Sequence, residues 1–178
     1  MRALVVYESM FGNTEAIARA VGEGIAAHAS VTVMAVTDAP AEVDRDIDLL
    51  VVGGPTHAFS LSRPNTRDDA VRQGAAPVTG VARGLREWLD EVRVPDRTAV
   101  ATFDTRVLKA HLPGSAAKAA LRRLRRRHLT AIADPASFAV AGTPGPLTDG
   151  ELDRAGRWGA WVAAATLARL AGSHGARI

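Results

Sequence analysis

The sequence predicts a doubly wound α/β fold, a five-stranded parallel sheet with helices on both faces. Two observations carry this. Short continuous runs of Val, Ile and Leu alternate with longer segments whose apolar residues recur at helical spacing. Continuous apolar runs mark strands covered on both faces. Strict strand–helix alternation marks a parallel sheet, which right-handed crossovers wind in both directions. At 178 residues the chain suits one domain, so residues 1–178 are read as a unit.

Ala3–Tyr7 is the first strand, and Asn13 to Ala29 reads as a helix with Ala16, Ile17, Ala20, Val21, Gly24 and Ile25 on one face. Val31–Val36 is the second strand. Asp38-Ala39-Pro40 ends it, and a short helix is expected over Ala41–Arg45. Asp48 to Gly53 is a third buried strand, with the apolar run Leu49-Leu50-Val51-Val52. A long irregular stretch, Gly54 to Gly80, follows; loops of this length in a compact domain are usually functional. The remaining expectations are a helix over Val81–Val92, a strand over Thr98–Phe103 and a second loop from Asp104 to Gly114. Ser115 then caps a helix over Ala116–Arg127. A last strand within Ala131–Val140 carries a possible break at Pro135. A closing helix spans Leu147–Leu170, capped by Thr148 or Asp149.

Composition removes several function classes. With no cysteine there is no disulfide, thiolate zinc site, iron–sulfur cluster or cysteine nucleophile. The longest nearly apolar run, Trp158 to Ala168, is shorter than the ~18 residues of a membrane span. The apolar segment at the N-terminus is too short for a secretory signal. A soluble, cytoplasmic protein is expected. The net charge is +3, and Arg122, Arg123, Arg125, Arg126 and Arg127 crowd one helix. They form either a solvated face or a docking surface for an acidic partner or nucleic acid. No HExxH, GxSxG or paired metal-ligand spacing occurs, so neither a metal site nor a catalytic residue is assigned.

The first strand runs into Glu8-Ser9-Met10-Phe11-Gly12-Asn13-Thr14 and a helix starts at once. Backbone N–H groups at a helix N-terminus lack internal partners and carry partial positive charge, so they suit a phosphate. Ser9 and Thr14 add hydroxyls, Asn13 an amide, and Gly12 allows close approach. The loop has no Lys or Arg and no Gly-Lys-Thr/Ser, which fits a monophosphate better than ATP. By itself it is equally an ordinary polar turn with capping residues.

Ser9-x-x-Gly12-Asn13-Thr14 after a first apolar strand resembles the FMN-phosphate loop of flavodoxins, and the likeness extends over nearly the whole chain. Phe11 departs from the usual hydroxyl residue. Ser9-Met10-Phe11-Gly12 is similar instead to the Ser-Met-Tyr-Gly of flavodoxin-type quinone reductases. The resemblance implies strand order 2-1-3-4-5 and non-covalent FMN held by the loops after strands one, three and four. In flavodoxin itself, the standard illustration of that rule, the ligand lies beyond the carboxyl ends of the strands where their order reverses.

On that resemblance the flavin contacts fall on Ser9, Met10, Phe11, Gly12, Asn13 and Thr14, on Pro55, Thr56, His57, Ala58 and Phe59, and on Thr102, Phe103, Asp104, Thr105 and Arg106. His57 stands where many flavodoxins stack a Trp, and Ala58 where electron carriers often have Gly. Phe59 is a candidate flavin wall, whereas Phe103, last in its strand, reads as core. Arg106 suits an anionic reduced flavin or a surface ion pair. The leading expectation is an FMN-dependent electron-transfer protein served by a redox partner protein or nicotinamide reductant. The second is an NAD(P)H:quinone oxidoreductase with a small quinone acceptor, to which Phe11 and Ala58 lean. The third is a flavin-free binding module using Arg122–Arg127. Neither a membrane nor nucleic acid is an expected partner of the leading reading.

Overall fold

Strands that are apolar on both faces must be covered on both, and the chain does this with two helix layers. A computed structural model describes residues 1–57, 60–75, 83–107 and 114–175, with side chains to residue 172. In chain order the elements are β1 (Arg2–Tyr7), α1 (Asn13–Ala26), β2 (Ser30–Ala35), β3 (Leu49–Pro55), α2 (Pro64–Arg72), α3 (Leu85–Glu91), β4 (Ala99–Val107), α4 (Ala116–Arg126), β5 (Thr130–Ala131), β6 (Ala136–Val140) and α5 (Glu151–Gly175). The sheet is parallel with order β2-β1-β3-β4-β5, and β6 also pairs with β4. β5 and β6 together fill the expected fifth position. Between the pairs Val100↔Ala131 and Phe103↔Ala136, three steps on β4 match five on the fifth strand. The two extra residues lie at the Pro135 break, and their even number keeps the side-chain faces in phase.

Alternation along each strand sends residues to opposite layers. Leu4, Val6, Leu50, Val52 and Val100 meet Leu85, Trp88 and Leu89 of α3 and Leu121 and Leu124 of α4. Ala3, Val5, Tyr7, Leu49, Val51 and Ala101 meet Ile17 and Val21 of α1 and Ala155 and Val162 of α5. In this second layer Phe103, Phe138 and Trp158 pack edge-to-face with centroids 6.0 to 6.2 Å apart. Phe103 is 1 % exposed, the core residue expected. Gly53 must lack a side chain, because a Cβ there would enter the Phe103 ring.

Several expected boundaries are corrected. α1 stops at Ala26, and the His28 and Ala29 N–H groups both bond to Ile25 O as the chain turns into β2. No helix forms over Ala41–Arg45. This segment is extended: Val43 N–H bonds to Arg93 O and Arg93 N–H to Ala41 O, and the adjacent Pro40 carbonyl accepts the Trp88 indole N–H at 2.9 Å. The long stretch after β3 contains α2, with Pro64 at its first position and Thr66 Oγ1 accepting the Arg63 N–H at 2.8 Å. α3 begins at Leu85, and residues 76–82 lie outside the described ones. α5 starts after Gly150, later than expected, because Leu147 instead bridges Val140; it also runs on to Gly175. No helix among the described residues is long and apolar enough to cross a membrane.

The arginine-rich helix divides in two. Arg123 pairs with Asp90, and Arg127 donates to the Val92 and Asp90 carbonyls. Arg122, Arg125 and Arg126 are exposed. Changing these three to Gln is expected to move the unfolding free energy by no more than about 0.5 kcal/mol. Gly24→Ala presents the opposite case, because its Cβ would run into Gly156 O where α1 crosses α5. A loss of about 1–3 kcal/mol is expected. Denaturant titration checks both variants, and an unshifted midpoint for Gly24→Ala would mean the two helices can part.

Candidate functional site

β1 delivers the chain to the carboxyl edge of the sheet and Gly12 turns it into α1. Gly12 has φ 83°, a left-handed conformation that only glycine adopts cheaply. Its carbonyl accepts the Ala16 N–H at 3.0 Å, and Ser9 Oγ accepts the Glu15 N–H at 3.2 Å. The N–H groups of Gly12, Asn13 and Thr14 have no acceptor among the described residues. Three donors thus stand at the positive end of a 14-residue helix. Thr14 Oγ1 and Thr105 Oγ1 lie 2.7 Å apart. One hydroxyl donates to the other, which leaves one hydroxyl hydrogen of the pair for another acceptor. Asn13 Nδ2 donates one of its two hydrogens to Pro144 O at 3.1 Å, which clamps the loop after β6 and leaves the second for another acceptor.

A cleft of about 440 Å³, counting its open mouth, lies beside these donors. Met10, Phe11, Asn13 and Thr14 form one wall, Thr56 and His57 a second, and Thr105 and Arg106 a third. Three separate loops or strand ends thus meet where the sequence placed them. Met10 is 1 % exposed and packs on Ala70 and Ala75, with Phe11 half-buried against them. Pro55 ends β3 opposite Thr105. His57 and Ser60 exchange both backbone hydrogen bonds at 2.9 Å, closing a hairpin. Ala58 and Phe59, the residues between them, lie outside the described residues. Arg106 Nη1 donates to Gly114 O at 2.8 Å.

Asp104, Thr105 and Arg106 are not loop residues. β4 continues through Val107 because these polar positions pair with β3 and β6. Asp104 is fully buried, and its Oδ2 accepts from Thr56 Oγ1 at 2.9 Å, Ser115 Oγ at 2.6 Å and Ala117 N–H at 3.0 Å. Thr56 Oγ1 in turn accepts the Ala116 N–H at 2.9 Å, and Ser115 Oγ accepts the Lys118 N–H at 3.1 Å, the cap that was expected. Asp104 therefore holds the start of α4 rather than lining the cleft. Thr102 is likewise buried, its hydroxyl donating to Ala117 O at 3.0 Å. The Phe103 side chain faces the α1–α5 core. The side chains of Thr102, Phe103 and Asp104 are thus spent on packing and on the start of α4.

Sequence reasoning missed two groups. Val107, Val140 and Thr143 also line the cleft; the carboxyl-edge rule applied to the fifth strand would have found Val140. The second group is polar and buried. Glu8 is 1 % exposed, with Oε2 accepting the Leu85 N–H at 2.7 Å. Arg67 is fully buried, with Nη1 3.1 Å from Glu87 Oε2 and donating to Ser62 Oγ at 2.9 Å. Burial pushes the His57 pKa below its ordinary value; Glu8 opposes that shift and Arg67 adds to it. Burial alone would raise Glu87, but bonds from the Gly84 and Glu87 N–H groups and from Arg67 hold it below the usual carboxyl range. No cluster of His, Asp or Glu fit to hold a metal occurs among the described residues.

Sheet order, two-sided helix layers and a cleft at the carboxyl edge define a flavodoxin-type α/β fold. Residues 5–69 match the family model described as Flavodoxin. The structure is similar to an archaeal flavodoxin, with 21 % identity, TM-score 0.63 and coverage of 93 % of this chain and 99 % of the other. A Streptococcus pneumoniae TIGR4 flavodoxin aligns at 15 % identity and TM-score 0.65 over 92 % and 99 % of the two chains. The WrbA-like flavodoxin from Agrobacterium tumefaciens aligns at 18 % and 0.50 over 93 % and 96 %. No curated protein matches the sequence.

Thr56 offers a direct check on the frame of the cleft. Thr56→Val keeps the shape but leaves the Asp104 carboxylate short of one donor and the Ala116 N–H without its acceptor. A loss of about 1–3 kcal/mol in unfolding free energy is expected by denaturant titration.

Proposed function

We propose that this chain is an FMN-binding redox protein that passes electrons through a non-covalent flavin. The observation that carries the reading is the set of N–H groups on Gly12, Asn13 and Thr14 that have no acceptor among the described residues, beside a cleft that Asn13 and Thr14 line together with the ends of β3 and β4. Such a set, with the Thr14–Thr105 hydroxyl pair and no lysine, suits the dianionic phosphate of a mononucleotide. The family match spans this loop and the β3 loop. When bound, FMN would supply the redox chemistry.

The chain's own residues have distinct tasks in this reading. The α1 N-terminus binds the phosphate. Phe11 and His57 offer flat walls to the ring, and Ala58 and Phe59 belong to the same loop. Arg106 puts positive charge at the cleft, which favours an anionic reduced flavin. The donor would be a redox partner protein or a reduced nicotinamide, in the cytoplasm. One feature favours the second reading, NAD(P)H-dependent quinone reduction: His57 is an ionisable ring in the cleft, and quinone reduction consumes protons.

Titrating flavin-free protein with FMN and with riboflavin tests the phosphate assignment. Thr14→Val should weaken FMN tenfold or more, or about 1.5–3 kcal/mol for a hydrogen bond to a charged group, and leave riboflavin nearly unchanged. Equal weakening of both ligands would remove the phosphate from this loop. Turnover of a quinone by the purified protein with NAD(P)H alone would decide for the enzyme.

A further inference from the structure

Most arginines on this surface are matched by a carboxylate, and the outer row of α4 is not. Arg2, Arg19, Arg72, Arg93, Arg97 and Arg154 each form an ion pair. Lys118, Arg122, Arg125 and Arg126 are exposed, and none of their side chains has an ion-pair or hydrogen-bond partner among the described residues. Lys118, Arg122 and Arg125 recur at i, i+4 and i+7, so they share one face of the helix, and like charges at that spacing oppose it. The Ser115 cap and the buried Leu121 and Leu124 hold the helix against that repulsion. Asp134 is the only acid between Asp104 and Asp149 in the chain, and it is exposed. The same three cations line a groove of about 530 Å³, counting its open mouth, together with Leu121 and Pro135. Two hydrogen bonds join the row to the cleft. Thr56 Oγ1 accepts the Ala116 N–H at 2.9 Å, Arg106 Nη1 donates to Gly114 O at 2.8 Å, and both Thr56 and Arg106 line the cleft. The row therefore starts two residues beyond the helix end that abuts the cleft wall. From Lys118 to Arg125 it runs about 10 Å along α4.

We propose that this row and its groove dock a protein redox partner that presents a patch of Asp and Glu, with the partner's electron-transfer centre towards the cleft. This rests on the flavin reading above. Four cations without counter-charge attract carboxylates at a distance, and such steering speeds encounter. Leu121 and Pro135 give the groove an apolar floor within a charged rim, the arrangement of a protein interface. Electron-transfer encounters are small, under ~1,200 Å² in total, so each partner's patch is roughly 25–30 Å across. A patch of that size covers the row and the adjoining cleft rim together. A nucleic acid suits the face less well. Residues 114–136 contain no aromatic ring on which a base could stack, and a row this short meets only about three phosphates of one strand.

The probe is a small iron–sulfur protein of net negative charge. Its binding to the full chain is measured by calorimetry at about 20 and about 300 mM NaCl. Transfer of one electron from its reduced centre to FMN-loaded protein is followed by stopped flow. At low salt the triple variant Lys118→Gln, Arg122→Gln, Arg125→Gln should weaken binding and slow transfer tenfold or more, with FMN affinity unchanged. High salt should do the same to the unaltered protein. Arg45, Arg72 and Arg157, exposed on other segments, provide a control that loses the same charge; changing them to Gln should alter binding less than twofold. No binding to the unaltered protein at low salt would overturn the inference. So would equal weakening by the two triple variants, because net charge alone would then draw the probe. Transfer unaffected by the α4 variant would place docking elsewhere and overturn it too. A short DNA duplex that binds more tightly than the probe at high salt, and is lost in the α4 variant, would assign the face to nucleic acid instead. A chain that takes up no FMN would remove the functional reading, while the binding arm would still decide whether the row docks an acidic protein.

Discussion

One carboxylate oxygen, Oδ2 of Asp104, accepts hydrogen bonds from the residue after β3, from the cap of α4 and from the second N–H of that helix. The rest of the carboxyl edge depends on it. A helix begins with N–H groups that nothing in the helix can satisfy, and a buried carboxylate needs donors. Each deficit answers the other. Because Asp104 lies within β4, the bargain is struck against the sheet and not against a loop. Thr56 is thereby tied to β4 and α4 at once, which sets the position of the hairpin that carries His57.

The two faces of the sheet carry different burdens. On the α1–α5 face, helices approach through Gly24 and Gly159, so closely that backbone atoms occupy the space of a Cβ. That contact leaves α1 little freedom, and a fixed α1 fixes the Ser9–Thr14 turn at its N-terminus. The α3–α4 face is packed by larger side chains around Trp88, and its outer surface is where the arginines lie. α2 belongs to neither layer. Its average residue is polar, and it is held by the buried Arg67 and by Ala70 against Met10. An element held by one buried ion cluster and a few methyl groups ties the turn before α1 to the loop after β3.

Much was legible in the sequence by itself. The apolar runs Ala3–Tyr7 and Leu49–Val52 have no polar face to expose, so they are strands covered twice, and their alternation with helices leaves one class of fold. The break near Pro135, the Ser115 cap and the burial of Phe103 follow from local chemistry, and so does the helix start after Gly12. Such features depend on a residue and its near neighbours, which periodicity and capping rules report faithfully. The tertiary structure alone decided the rest. Asp104-Thr105-Arg106 reads as a polar loop, yet it is strand, because β3 and β6 offer its backbone partners. Ala41–Arg45 has a helix-compatible sequence, yet it is extended, because Arg93 and Trp88 need its neighbourhood's carbonyls. The burial of Glu8 with Arg67 beside Gly84 has no sequence signature, since it joins segments far apart in the chain. Which polar groups are buried together depends on how crossovers stack whole elements, and no local rule contains that information.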